Sequence, residues 1–122
     1  MELRLLYDER MLSRLSDTLE HYMDLLSARQ KVVASNIANA DTPGYKTKDI
    51  DFQSEFRSAF GGGSPASFEV AGLPVKNDGN NVSLDREARL LTENDMRFNL
   101  ASNLLRSEVQ SIRAALQSGS NT

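Results

Sequence analysis

The sequence predicts a mainly α chain: long N- and C-terminal helices packed as an antiparallel, coiled-coil-like pair, joined by a loop-rich central insert able to hold a short helix and a short β element. Three observations carry this reading. Apolar residues recur at helical steps over Met11–Ala40 and again over Leu84–Gln117. Six of the seven glycines and all three prolines fall between them, in residues 41–83. And 122 residues of 13.5 kDa make one small domain, in which two amphipathic helices have chiefly each other to pack against.

The first helix rests on Leu12, Leu15, Leu19, Tyr22 and Leu26, spaced 3, 4, 3, 4, with Gln30, Val33, Ile37 and Ala40 continuing the stripe after a one-residue slip. Asp8 or Ser13 is placed to cap its start, and Pro43 to fix its end, because the residue before a proline is pushed out of the helical region. In the insert, Asp51 is placed to cap a short helix bearing Phe52, Phe56 and Phe60 on one face, and Gly61–Gly63 to stop it. Phe68–Val70 and Val82–Leu84 are alternating pieces expected to pair as the β element.

The last helix carries Leu84, Leu91, Phe98, Leu105 and Ile112 at intervals of seven. Ala88, Asn94, Ala101, Glu108 and Ala115 lie at complementary positions, Leu104, Val109 and Leu116 widen the stripe, and Gly119 is expected to end the helix. Asp85 and Glu87 in its first turn suit the helix dipole. The expected segments are 1–45, 46–83 and 84–122, the first and last forming one helical domain. Residues expected to pack within this domain or against neighbours are Leu12, Leu15, Leu19, Tyr22, Leu26 and Val33 on one helix. Leu91, Phe98, Leu105, Val109, Ile112 and Leu116 are their counterparts on the other. One helix pair leaves apolar surface over, on Leu104, Val109 and Leu116 or on Met23 and Val32, and such surface favours neighbouring subunits.

Composition narrows the chemistry. Fourteen Lys+Arg against seventeen Asp+Glu leave a net charge of −3, spread as −2, −1 and 0 over the three segments, so no basic field is present to hold nucleic acid. There is no cysteine and one histidine, too little for a thiol nucleophile or a Cys/His metal centre. No tryptophan and eight other aromatics make the core thin for the length. The N-terminus, MELRLLYDER, reads as neither a membrane span nor a cleaved secretory signal.

His21, beside Glu20 and Asp24, reads as part of a solvated helix face, not as a general base. Asp78-Gly79-Asn80 lacks the glutamate of a calcium loop and reads as a turn. Asp49 and Asp51 read as caps before they read as a carboxylate pair. No catalytic residue, cofactor site or metal site is expected, and the chain is not expected to be an enzyme.

The junction of the first two segments reads ASNIANADTPGY over Ala34–Tyr45. Thr42-Pro43-Gly44-Tyr45 fits a type II turn, with proline presetting φ and glycine taking positive φ. Asn36 and Asn39, one turn apart, can bond the last helix carbonyls or the returning strand. This string, with Asn36, Ile37, Asn39, Thr42, Pro43, Gly44 and Tyr45 as its signature positions, resembles the N-terminal signature of the flagellar basal-body rod family. Lys48–Phe56, containing DIDF, and Asp78–Glu87 resemble segments of its short proximal-rod members. The matches cover most of residues 26–117 and are weakest over the first ten residues and Gly61–Lys76.

The resemblance implies a structural subunit of the bacterial flagellum, in the periplasmic proximal rod that transmits torque, exported by the flagellar type III apparatus without a cleaved signal. It implies paired terminal helices stacked helically about an export channel. Implied partners are other copies of itself, other flagellar rod proteins, the basal-body adaptor protein FliE and the export gate, with no nucleic acid and no direct membrane insertion. Leu3, Leu5, Leu6 and Tyr7 are candidates for the gate-recognition segment by apolar character alone. A neighbouring proximal-rod paralogue and a cytoplasmic helical-hairpin binding module are the alternatives.

Overall fold

The computed structural model describes residues 2–58 and 65–120. Helix α1 spans Glu2–Ala38 and α3 spans Leu84–Ser120, each 37 residues, or about 55 Å at ~1.5 Å per residue. Between them lie strand β1 (Lys48–Ile50), helix α2 (Phe52–Arg57) and strand β2 (Ser67–Glu69). The long helices pack along each other antiparallel: Asn36 of α1 meets Glu87 at the start of α3, and Asn94, two turns further along α3, bonds Leu26 and Gln30. No helix among the described residues is long and apolar enough to cross a membrane.

Both helices outrun the expected bounds. Asp8 and Ser13 lie within α1, not at its start, since the helical pattern holds from Glu2 through the charged residues that precede Met11. Helix α1 stops at Ala38, short of Ala40 and five residues before Pro43. Gly119 does not end α3, which runs to Ser120. Asp51 does cap α2, its carboxylate accepting the Ser54 amide at 3.2 Å. Phe52 and Phe56 pin this helix onto α1: Phe52 meets the Tyr22 ring edge-on at 5.3 Å, and Phe56 stacks on His21 at 5.8 Å. His21 is thus half-buried against an aromatic ring, where a solvated face was expected. Phe60 and Gly61–Gly63 lie outside the described residues.

The β element pairs other partners than expected. Strand β2 runs antiparallel to β1, with Lys48 opposite Glu69 and Ile50 opposite Ser67. Val82–Leu84 is no strand, because Ser83 is committed to α3: its hydroxyl accepts the Arg86 amide at 3.2 Å and its carbonyl the Glu87 amide at 3.0 Å.

The line of α3 that faces α1 follows the expected complementary positions at Asn94 and Ala101, with Glu87 in place of Ala88, rather than the leucine line. Its buried residues are Glu87, Asn94 and Ala101, whereas Leu84 and Phe98 are exposed. The Leu84–Ile112 line runs along the flank of this contact, with Leu91, Leu105 and Ile112 half-buried. Leu25, Leu26, Val33, Ala40, Ile50 and Val82 complete the apolar core. Among the described residues, nothing in α1 before Leu25 and nothing in α3 after Ala101 is buried.

Candidate functional site

Among the described residues no group of three or more His, Cys, Asp or Glu is placed to hold a metal ion. What the described residues build is a polar joint at the closed end of the helix pair, and it begins with the signature. Thr42-Pro43-Gly44-Tyr45 closes as the turn its spacing predicts, with the Tyr45 amide bonded to the Thr42 carbonyl at 3.2 Å and Gly44 at φ +76°. Asn39 caps the helix end through Ser35 O at 2.8 Å. Asn36, fully buried, reaches across to the returning strand. Its Nδ2 donates to Lys48 O at 2.8 Å, its Oδ1 accepts the Lys48 amide at 3.1 Å, and Tyr45 Oη donates to the same Oδ1 at 3.0 Å. One side chain thereby stands in for a neighbouring strand along the edge of β1.

The Asn80-Asn81 pair locks the joint from the other side. Asn80 Nδ2 donates to both Asn39 O and Thr42 O at 2.8 Å, and its Oδ1 accepts the Val82 amide. Asn81 Oδ1 accepts the Thr47 amide at 2.6 Å. Gly79, at φ +87°, lies so close to Gly44 that a Cβ there would stand 3.3 Å from the Gly44 Cα. Asp78 takes part in the turn: its carbonyl accepts the Gly44 amide and its carboxylate the Asn80 amide.

Charge completes the joint. Asp49 is no cap: Arg29 of α1 grips it with two bonds of 3.1 Å and Arg86 of α3 adds a third at 3.1 Å. Arg86 also pairs with Glu87 at 2.7 Å, and the other Glu87 oxygen accepts from Asn36 at 3.1 Å. Glu87 therefore sits at 0% exposure with both oxygens held, in the first turn of α3 where its charge also suits the helix dipole. The chain Arg29–Asp49–Arg86–Glu87–Asn36 ties α1, β1 and α3 together, and each buried charge has a partner, as a low-dielectric interior demands.

A family model described as flagella basal body rod protein matches residues 23–46, the buried half of α1 together with the signature turn. The flagellar basal body rod protein FlgB of Escherichia coli (strain K12) is 32% identical, over 80% of this chain and 88% of that protein. The chain belongs to the FlgB family of basal body rod proteins. FlgB of Salmonella typhimurium is 31% identical over 89% of this chain and 99% of its own length. FlgB of Borreliella burgdorferi is 30% identical, covering 83% and 94%. The chain is accordingly a structural component of the flagellar basal body rod.

The FlgB signature thus coincides with the joint. Asn36, Asn39, Thr42, Gly44 and Tyr45 hydrogen-bond within it, while Pro43 and Ile37 are exposed. The packing residues divide. Leu26 and Val33 are buried; Leu12, Leu19, Tyr22, Leu91, Leu105 and Ile112 are half-buried; Leu15, Phe98, Val109 and Leu116 are exposed. Of the surface expected to be left over, Leu104, Val109 and Leu116 are exposed, and Met23 and Val32 are half-buried. Leu3 is exposed. Leu5, Leu6 and Tyr7 belong to α1, but their side chains lie outside the described residues.

Sequence reasoning passed over Arg29 and Arg86 and read Asp49, Asn80 and Glu87 only by their local roles, whereas all five take partners from across the fold. The Asn80-Asn81 doublet beside a glycine was the one local signal, since asparagine amides both donate and accept and suit backbone that lacks a ladder.

Proposed function

We propose that this chain is a non-catalytic building unit of the proximal rod, whose unfinished helix pair is completed by its neighbours as the rod assembles and whose packing transmits torque. The observation that carries this reading is the apolar seam left unburied beyond Leu25 and Ala101, where Leu15, Val109 and Leu116 stay exposed. Exposed apolar surface of this kind favours association, and contacts that do not close on themselves build a filament. The partners in this reading are other copies, other rod proteins, the adaptor FliE and the export gate, with delivery by the flagellar type III apparatus. The signature residues and the packing residues act here as the joint that sets the helix pair and the surface that receives neighbours.

Leu105→Asp or Ile112→Asp tests this. Each places a charge on the half-buried seam, where a rod contact would desolvate it, so non-motile cells lacking assembled rods are expected while the purified variant keeps its helix content. Normal motility in both variants would overturn the packing reading.

A further inference from the structure

In its open half α1 carries three exposed acids, Asp17, Glu20 and Asp24, and in its open half α3 carries two exposed arginines, Arg106 and Arg113. None of the five makes an ion pair among the described residues. Leu26 and Asn94 mark the sides by which the two helices face each other. Asp17 and Asp24 lie about 160–180° around α1 from Leu26, and the arginines about 100–120° around α3 from Asn94. The acids therefore point away from the arginines of their own chain.

The two sets match in spacing. Asp17 and Asp24 are seven residues apart, as are Arg106 and Arg113, so each pair stays within about 20° of one line and spans roughly 10 Å along its helix. At the same interval the α1 line reads Arg10, Asp17, Asp24, Lys31, and the α3 line Asn99, Arg106, Arg113, Ser120. Laid together, the acids meet the arginines and the flanking bases meet uncharged residues, so no like charges oppose.

We propose that these lines are the two halves of a contact between successive copies of the chain, in which Asp24 of one copy meets Arg106 of the next and Asp17 meets Arg113. Copies repeated by one rotation and one rise keep their direction, so α1 of one runs antiparallel to α3 of the next, as this pairing requires. Within a chain the contact of Leu26 with Asn94 sets Arg106 level with Arg14. Meeting Asp24 instead displaces the next copy by about ten residues, or ~15 Å. Unlike patches joined with such a displacement climb rather than close. Exposed ion pairs are individually weak, so this contact selects partner and register, while the apolar seam supplies burial. The contact presupposes the rod assembly proposed above.

Exchange of charge tests it in cells. Asp24→Arg alone and Arg106→Glu alone each oppose like charges and are expected to cut the number of assembled rods about tenfold, whereas the double exchange restores it. Circular dichroism of the purified variants shows unchanged helix content. Because the chain has no cysteine, a chain carrying both Asp24→Cys and Arg106→Cys reads the geometry directly. Mild oxidation of isolated basal bodies is expected to give a ladder of disulfide-linked dimers, trimers and longer products, with no ladder from either single variant. Rods that contain the double-cysteine chain and give no ladder, a product that stops at the dimer, or a double exchange no better than the single ones would each overturn the contact. If rods fail with Leu105→Asp or Ile112→Asp but tolerate both charge reversals, the rod reading stands and this contact falls.

Discussion

The two ends of the helix pair are built from the same kind of sequence and reach opposite states. At the closed end, residues 25–50 and 80–94 bury an apolar group around Leu26, Val33 and Ile50 and a polar network around Asn36, Asp49 and Glu87. At the open end, α1 before Leu25 and α3 after Ala101 run side by side with leucines at helical spacing, yet no described residue there is buried. Amphipathic periodicity is present at both ends. What differs is a third layer: the turn, β1 and the Asn80-Asn81 segment wrap the closed end and exclude water, α2 reaches as far as His21 and Tyr22, and among the described residues nothing wraps the turns beyond. Two helices alone cannot enclose their own seam, so its completion needs groups from elsewhere.

Breaking the closed end should therefore cost stability, and altering the open end should cost assembly. The largest effect is expected for Asp49→Ala, which strips Arg29 and Arg86 of their common partner beside the buried Glu87; urea denaturation should show a loss of about 3–5 kcal/mol. Leu26→Ala, which opens a cavity at a fully buried site, is expected to cost about 3 kcal/mol by the same measurement. Gly79→Ala forces a positive φ on a side chain and presses its Cβ against Gly44, for a loss of about 1–2 kcal/mol. Leu116→Ala lies at the open end and should change the stability of the isolated chain by no more than about 0.5 kcal/mol. Its effect should appear as fewer assembled rods.

Hydrogen exchange would sharpen the same contrast. Amides of α1 after Leu25 and of α3 before Ala101 are expected to exchange through global unfolding, and those of the distal turns through local opening. Equal protection along both helices would remove the distinction between the ends.

Legibility followed the range of the interactions. The two long helices, the Asp51 cap and the turn at Thr42–Tyr45 depend on neighbours in the chain, and spacing and turn chemistry were enough to place them. The β pairing was misplaced because both strands are three residues long and each is held by partners outside any local pattern: Asn36 lines one edge of β1, and Ser83 was already committed to capping α3. On α3 the expected complementary positions Asn94 and Ala101 are buried, whereas leucine spacing gave Leu84 and Phe98 a contact that they do not make. The polar residues of the contact line are Asn94 and, where Ala88 was expected, Glu87. Their burial depends on groups that only the fold delivers.

By itself the sequence determined that this is a helical hairpin with a signature turn and no cysteine, since those properties reside in composition, periodicity and turn residues. Only the tertiary structure decided which polar groups lie inside, which face of α3 meets α1 and which meets solvent, and that one end is closed while the other is left open. A buried charge is tolerated only where its partners converge. For Asp49 and Glu87 those partners lie twenty to fifty-one positions away for Arg29 and Asn36, with Arg86 bridging the two acids, a convergence that no local pattern encodes.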